Sequence, residues 1–116
     1  SVENSDNTVI AISKNFMGNG SEELGKLLIK GFIYTSSEYD KLPKTIVFFN
    51  SGVKLTTEGS PCLDDLEKLQ DNGVEIISCG TCLDYYGLKE KLKVGEISNM
   101  YTIYETLFNA GKVINI

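Results

Sequence analysis

Three short apolar runs constrain the fold most: Val9-Ile10-Ala11-Ile12, Thr45-Ile46-Val47-Phe48-Phe49 and Val74-Glu75-Ile76-Ile77-Ser78. Such runs, rich in β-branched and aromatic residues, are too short for helices and lack the strict alternation of a strand with one wet face. They predict strands of a largely buried sheet. The segments between them carry helical spacing. Leu24, Leu27, Leu28 and Phe32 predict a helix that lays one apolar stripe on the sheet. Its N-terminus is capped either by Asn19 with Glu22 three residues on, or by Ser21 with Glu22 and Glu23 in the first turn.

The remaining elements keep the same alternation. Leu42-Pro43 ends the first connection, and residues 51–59 read as a loop after the second strand. Ser60-Pro61 predicts a helix with Ser as cap and Pro at the first helical position, Leu63, Leu66 and Leu69 inward, and Asn72-Gly73 as the stop. The third strand runs into Cys79, and a helical turn around Cys82–Tyr86 stops at Gly87. Residues 88–92 read equally as a second turn or a loop. Val94–Ile97 predicts a short strand, and Ser98 caps a last helix buried through Met100, Ile103, Tyr104, Leu107 and Phe108. Gly111 ends it, and Lys112–Ile116 is the final strand. Strands alternating with helices give a three-layer α/β/α fold around a mainly parallel five-stranded sheet. Residues 8–116 form this one domain, and the polar residues 1–7 read as a tail or the remnant of a linker. Ligands of such sheets gather at the carboxyl ends of the strands. Here that edge holds the loops 13–20, 50–60, 79–87 and 98–100.

Composition narrows the chemistry. The net charge of -5 argues against nucleic acid, whose phosphates want clustered cations; Lys89, Lys91 and Lys93 form the one dense basic group. The sequence shows no apolar run long enough to cross a bilayer and no signal segment at its start, so the chain is expected to be cytoplasmic. Three cysteines are an odd number and too few for a secreted disulfide scaffold, which suggests free thiols. The chain contains no histidine. That removes the commonest general base, the commonest zinc ligand and every Cys-His or Ser-His pair.

Within those limits, Cys79-Gly80-Thr81-Cys82 is the strongest local signal. Two thiols separated by two residues at a strand-to-helix junction can approach closely enough to bridge. The adjoining helix start, with the Gly80 and Thr81 backbone N–H groups, is expected to favour a thiolate. The alternative is a pair of small residues filling space. Zinc fits poorly, since without histidine only Cys62 could join the pair, and no metal or other cofactor is expected. Cys62 itself lies beside Asp64 and Asp65, which oppose thiolate formation; packing is its expected role. The loop Gly18-Asn19-Gly20-Ser21 could hold an anion on helix N–H groups, but it lacks a P-loop lysine, and loop glycines more often serve as turn formers. Tyr85 and Tyr86 flank the dithiol and suit a subunit contact better than a flavin clamp.

Several of these segments together resemble a known family. The stretch Asn72 to Cys79, Gly87 after the cysteine turn, and Ile97-Ser98-Asn99-Met100 are similar to the DsrE-like sulfur-relay family. Met17-Gly18-Asn19-Gly20, Glu22-Glu23-Leu24-Gly25, Phe49-Asn50-Ser51-Gly52-Val53, Cys79-Gly80-Thr81-Cys82-Leu83 and Val94 to Met100 resemble more closely the C-terminal domain of YedF-type, sulfurtransferase-like selenium metabolism proteins. The resemblance spans about Val9 to Ile116. It implies a flavodoxin-like arrangement and a sulfurtransferase-like carrier in which Cys79 accepts sulfane sulfur as a persulfide, with Cys82 a resolving or auxiliary thiol. Gly80, Thr81, Gly18, Asn19, Gly20 and Asn50 are the candidate binding positions. The resemblance further implies a homo-oligomer, trimer or hexamer, and a preceding TusA-like domain or separate sulfur or selenium donor and acceptor proteins as partners. Two other functions remain open for the same residues: a dithiol oxidoreductase using Cys79 and Cys82, and a non-catalytic docking or regulatory domain.

Overall fold

Strands buried on both faces must find backbone partners along both edges, and the apolar runs find them in one another. The structure, a computed structural model, describes residues 7–116 and the backbone of Glu3–Asn4. In chain order the elements are β1 (Glu3–Asn4), β2 (Thr8–Ile12), α1 (Glu22–Glu38), β3 (Lys41–Leu42), β4 (Thr45–Phe48), α2 (Leu63–Asp71), β5 (Glu75–Cys79), α3 (Gly80–Tyr85), β6 (Glu96–Ser98), α4 (Met100–Phe108) and β7 (Lys112–Asn115). The main sheet has the order β6-β5-β4-β2-β7, and each of its pairings is parallel. Glu3–Asn4 pairs separately with Lys41–Leu42. Of the expected tail, residues 1–2 and 5–6 lie outside the described residues, and Asn7 donates from its side chain to the Asn109 carbonyl oxygen.

Connection handedness sets the layers. From β2 through β4 and β5 the chain steps steadily across the sheet, so right-handed crossovers place α1 and α2 on one face. Glu38 of α1 and Lys68 of α2 accordingly form an ion pair. The return from β6 to β7 reverses direction and puts α4 on the opposite face. Groove linings agree: Ile10 and Ile114 share a groove with Phe32 and Thr35 of α1, whereas Thr45 and Glu75 share one with Glu105 and Asn109 of α4. Alternation then turns Ile12, Phe48 and Ser78 toward α1 and α2, and Ile77 and Cys79 toward the α4 face. Ser78 is fully buried, and its hydroxyl meets that of Thr56 at 2.8 Å, so neither polar group is stranded in the core.

The helices depart from their expected faces. In α1 the buried stripe is Gly25, Ile29, Ile33 and Ser37, while Leu24, Leu27 and Leu28 are exposed. Two apolar series share the 3.6-residue period here, and the four-residue series is the one that faces the sheet. Gly25 fixes that choice, because a Cβ there would lie 2.9 Å from the Met17 carbonyl oxygen that packs over it. In α4, Ile103 is buried, whereas Met100, Tyr104 and Phe108 point outward, Phe108 being 76% exposed. With one nine-residue helix spanning the return crossover, one side of α4 meets the sheet and the other is left open.

Helix starts also shift. Ser21 caps α1, its hydroxyl accepting from Leu24 N, while Asn19 Oδ1 accepts from the Lys14 ammonium instead. The α2 helix begins at Leu63 rather than beside Pro61, because Ser60 Oγ closes a preceding turn by accepting from Cys62 N. Asn99 caps α4, since Ser98 is held in β6 opposite Cys79. Residues 50–55, expected as loop, form a 3-10 helix, and 89–91 form a single 3-10 turn.

The 50–55 turn is seated by one close approach. A Cβ on Gly52 would fall 2.4 Å from the Ile12 carbonyl oxygen, and that contact is backbone, so it cannot yield cheaply. Gly52→Ala should therefore destabilise the protein by about 3 kcal/mol, the upper part of the overpacking range. Gly31→Ala, in mid-α1 with open space around it, should instead stabilise by about 1 kcal/mol. Chemical denaturation midpoints of the two variants give both signs.

Candidate functional site

The chain passes from β5 into α3 without a loop. Cys79 is the last residue of the strand and Gly80 the first of the helix. Gly80 is small for a packing reason: a Cβ would lie 3.1 Å from both Ile97 Cγ2 and the Ser98 carbonyl oxygen. One helical turn brings Cys82 back over the strand end, where its thiol adjoins that of Cys79. The two sulfurs differ sharply in access. Cys79 is 3% exposed, while Cys82 is half-buried and lines a surface pocket of about 420 Å³ with Asn50, Thr81, Tyr85 and Tyr86. Both are free thiols, as is Cys62.

Asn50 closes the other side of the pocket. Its backbone N–H donates to Cys82 Sγ at 3.1 Å. To aim that N–H, Asn50 adopts a φ of +51°, a left-handed conformation that Asn tolerates better than most side chains. The Tyr86 hydroxyl donates to Asn50 Oδ1 at 3.0 Å, and the Lys54 ammonium stands 4.6 Å from the centre of the Tyr86 ring. Tyr86 is also a wall of a larger neighbouring cleft of about 470 Å³, lined in part by Asn15, Lys26, Lys54 and Ser60.

Electrostatics run against the expected thiolate. Burial pushes the Cys82 pKa above the ordinary thiol value, the adjacent Cys79 thiol adds to the rise, and the Asn50 N–H pulls it part of the way down. The six-residue α3 does not supply that donor; the neighbouring strand's turn does. Cys62 is fully buried, with its pKa pushed up to about 11 by burial first and Asp65 second. It stands apart as packing, and among the described residues no three His, Cys, Asp or Glu side chains converge as a metal site needs.

The other expected positions divide. Thr81 and Asn50 line the Cys82 pocket, and Gly80 lies against β6. Gly18, Asn19 and Gly20 line neither cleft; Gly18 and Gly20 have positive φ in open space, which is the turn-forming role. Tyr86, which the sequence already places beside the dithiol, completes the site through its bond to Asn50. Lys54 joins it without any sequence signal, since it sits in a segment that reads as loop.

Known proteins share this architecture. Residues 9–116 match the DsrE/DsrF-like family, and the chain belongs to it. A search among curated proteins gives no match. Among solved structures, the chain is similar to a protein of unknown function, MTH1491, from Methanobacterium thermoautotrophicum, with a TM-score of 0.68 and 18% identity over 98% of this chain and 99% of that one. The ychN protein of E. coli gives a TM-score of 0.63 and 17% identity over 94% and 98% of the two chains. BT1422 from Bacteroides thetaiotaomicron, a conserved protein of unknown function, gives 0.60 and 13% over 95% of each. At these identities the likeness is one of fold: a five-stranded parallel sheet flanked by helices.

Because burial and the Cys79 thiol both hold Cys82 protonated, its alkylation rate should climb with pH through and beyond the ordinary thiol range. Replacing Cys79 by Ala removes one of the two raising influences and should move the midpoint of that climb to lower pH. Stopped-flow alkylation of wild type and variant across pH reads the shift directly; an unmoved midpoint would contradict the thiol–thiol contact.

Proposed function

We propose that this chain is a sulfur or selenium carrier domain of the YedF type, sulfurtransferase-like, in which the Cys79–Cys82 dithiol takes up sulfane sulfur or its selenium counterpart. Membership in a family broadly associated with sulfur relay supports the class. The observation that carries the reading is the pair of adjoining thiols at the carboxyl edge of the sheet, one of them open to a pocket. A buried Cys79 alone would have favoured a docking role. Cys82, in contact with it, supplies the mouth.

The chemistry asked of the protein is modest. A thiolate must attack the outer sulfur of a donor persulfide, and the product must be held in a pocket. A backbone N–H at Cys82 stabilises the charge on sulfur without any side-chain base, which suits a chain lacking histidine. Donor and acceptor proteins of the sulfur or selenium type, and a reducing compartment such as the cytoplasm, belong to the same reading. No helix among the described residues is long and apolar enough to cross a membrane.

Incubation with a cysteine desulfurase and cysteine should add sulfur to the Cys79–Cys82 peptide, detected as a persulfide or as the disulfide its resolution leaves. Intact-mass and peptide mass spectrometry check this. A chain that stays folded and acquires neither product would overturn the carrier reading.

A further inference from the structure

The two thiols are unequal, and the inequality runs opposite to the order that the resemblance implies. Cys79, the strand-end thiol, is 3% exposed and does not line the pocket. Cys82 lines the pocket and receives the Asn50 N–H at 3.1 Å. A donor protein or small persulfide approaching from solvent meets Cys82 first. We infer that Cys82 is the thiol that receives the sulfane sulfur, and that Cys79 resolves it, releasing the chalcogen in its reduced form as hydrosulfide. This rests on the carrier reading above.

Uptake and resolution are two balanced steps. The Cys82 thiolate attacks the outer sulfur of a donor persulfide; the donor's S–S bond breaks, the donor leaves as a thiolate, and Cys82 becomes a persulfide. No net oxidation occurs. Cys79 then attacks the inner sulfur of that persulfide, Cys82 Sγ. A Cys79–Cys82 disulfide forms, the bond to the outer sulfur breaks, and that sulfur takes the electron pair and the Cys79 proton and departs as HS⁻. The sulfane sulfur is reduced by two electrons and the two thiols are oxidised by two. A dithiol reductant returns the pair to thiols for another cycle.

Geometry favours resolution over handing on. The Cys79 thiol already adjoins that of Cys82 one helical turn on, so its attack is intramolecular. Effective concentrations of such positioned groups greatly exceed those of an acceptor arriving from solution. The Asn50 N–H lies against the same Cys82 sulfur that must carry negative charge during uptake. The pocket bounded by Tyr85 and Tyr86 gives the departing outer sulfur a route to solvent that does not pass Cys79.

The test uses the full chain, fully reduced and freed of reductant, with inorganic polysulfide as the sulfane donor. Hydrosulfide is measured after the background from polysulfide alone is subtracted. Wild type should release up to one equivalent per chain and end as the Cys79–Cys82 disulfide. Cys79→Ser should hold a stable persulfide on Cys82 and release at least tenfold less hydrosulfide. Cys82→Ser should do neither. Far-UV circular dichroism checks folding, and Cys79→Ala repeats the experiment if serine in that buried position disturbs it. Three results would overturn the inference alone: a persulfide on Cys79 in Cys82→Ser, a persulfide in wild type that persists without disulfide, or hydrosulfide release undiminished in Cys79→Ser. No sulfur uptake by wild type or any variant would overturn the carrier reading as well.

Discussion

The parallel register of β4 with β5 is the constraint on which the site depends. Phe48 stands opposite Ser78, so the two strands end at the same level of one sheet edge. The segments leaving these two strand ends are therefore forced into contact: the 3-10 turn from Asn50 on one side, and α3 from Gly80 on the other. A shift of one residue would turn Cys79 to the other face and carry Asn50 away from Cys82. The buried Thr56–Ser78 hydroxyl pair and the close seat of Gly52 on the Ile12 carbonyl hold the same register from the turn side. Core packing and thiol chemistry are thus settled by one pairing.

The site balances two opposed effects on sulfur. Burial penalises the thiolate that the chemistry needs, and the Asn50 N–H partly offsets that penalty at Cys82. A Cys82 thiol held mostly protonated is protected from indiscriminate oxidation, since the thiolate is the reactive form. On the proposed carrier reading, activation would come from local hydrogen bonding and from a donor seated in the pocket, with no permanent charge partner and without a histidine base.

Much of the fold and part of the site are legible in the sequence, and the limits have physical causes. The runs at Val9, Thr45 and Val74 locate three central strands because a doubly buried strand leaves an unbroken apolar signature. The junction at Cys79–Cys82 is legible for the same reason, since the third run ends there. Helix faces are not. Leu24, Leu27 and Leu28 in α1, and Met100, Tyr104 and Phe108 in α4, carry the right period but point outward. Periodicity locates an apolar stripe without saying which stripe the sheet takes, and here Gly25 decides it through a backbone contact that has no periodic signal. The order of the thiols is equally hidden. Resemblance singles out Cys79, while access depends on the path of α3 over the strand end, which brings Cys82 to the pocket. The Asn50 donor belongs to a different strand's turn, 32 residues away in sequence from the sulfur it meets.

The central claim is that Cys79 and Cys82 act as one dithiol unit with Cys62 outside it. Peptide mapping after mild oxidation with one equivalent of a thiol-specific oxidant tests this most directly. The account predicts an intramolecular Cys79–Cys82 disulfide, with Cys62 recovered as a free thiol. A bond from either cysteine to Cys62, or disulfides formed only between chains, would contradict it.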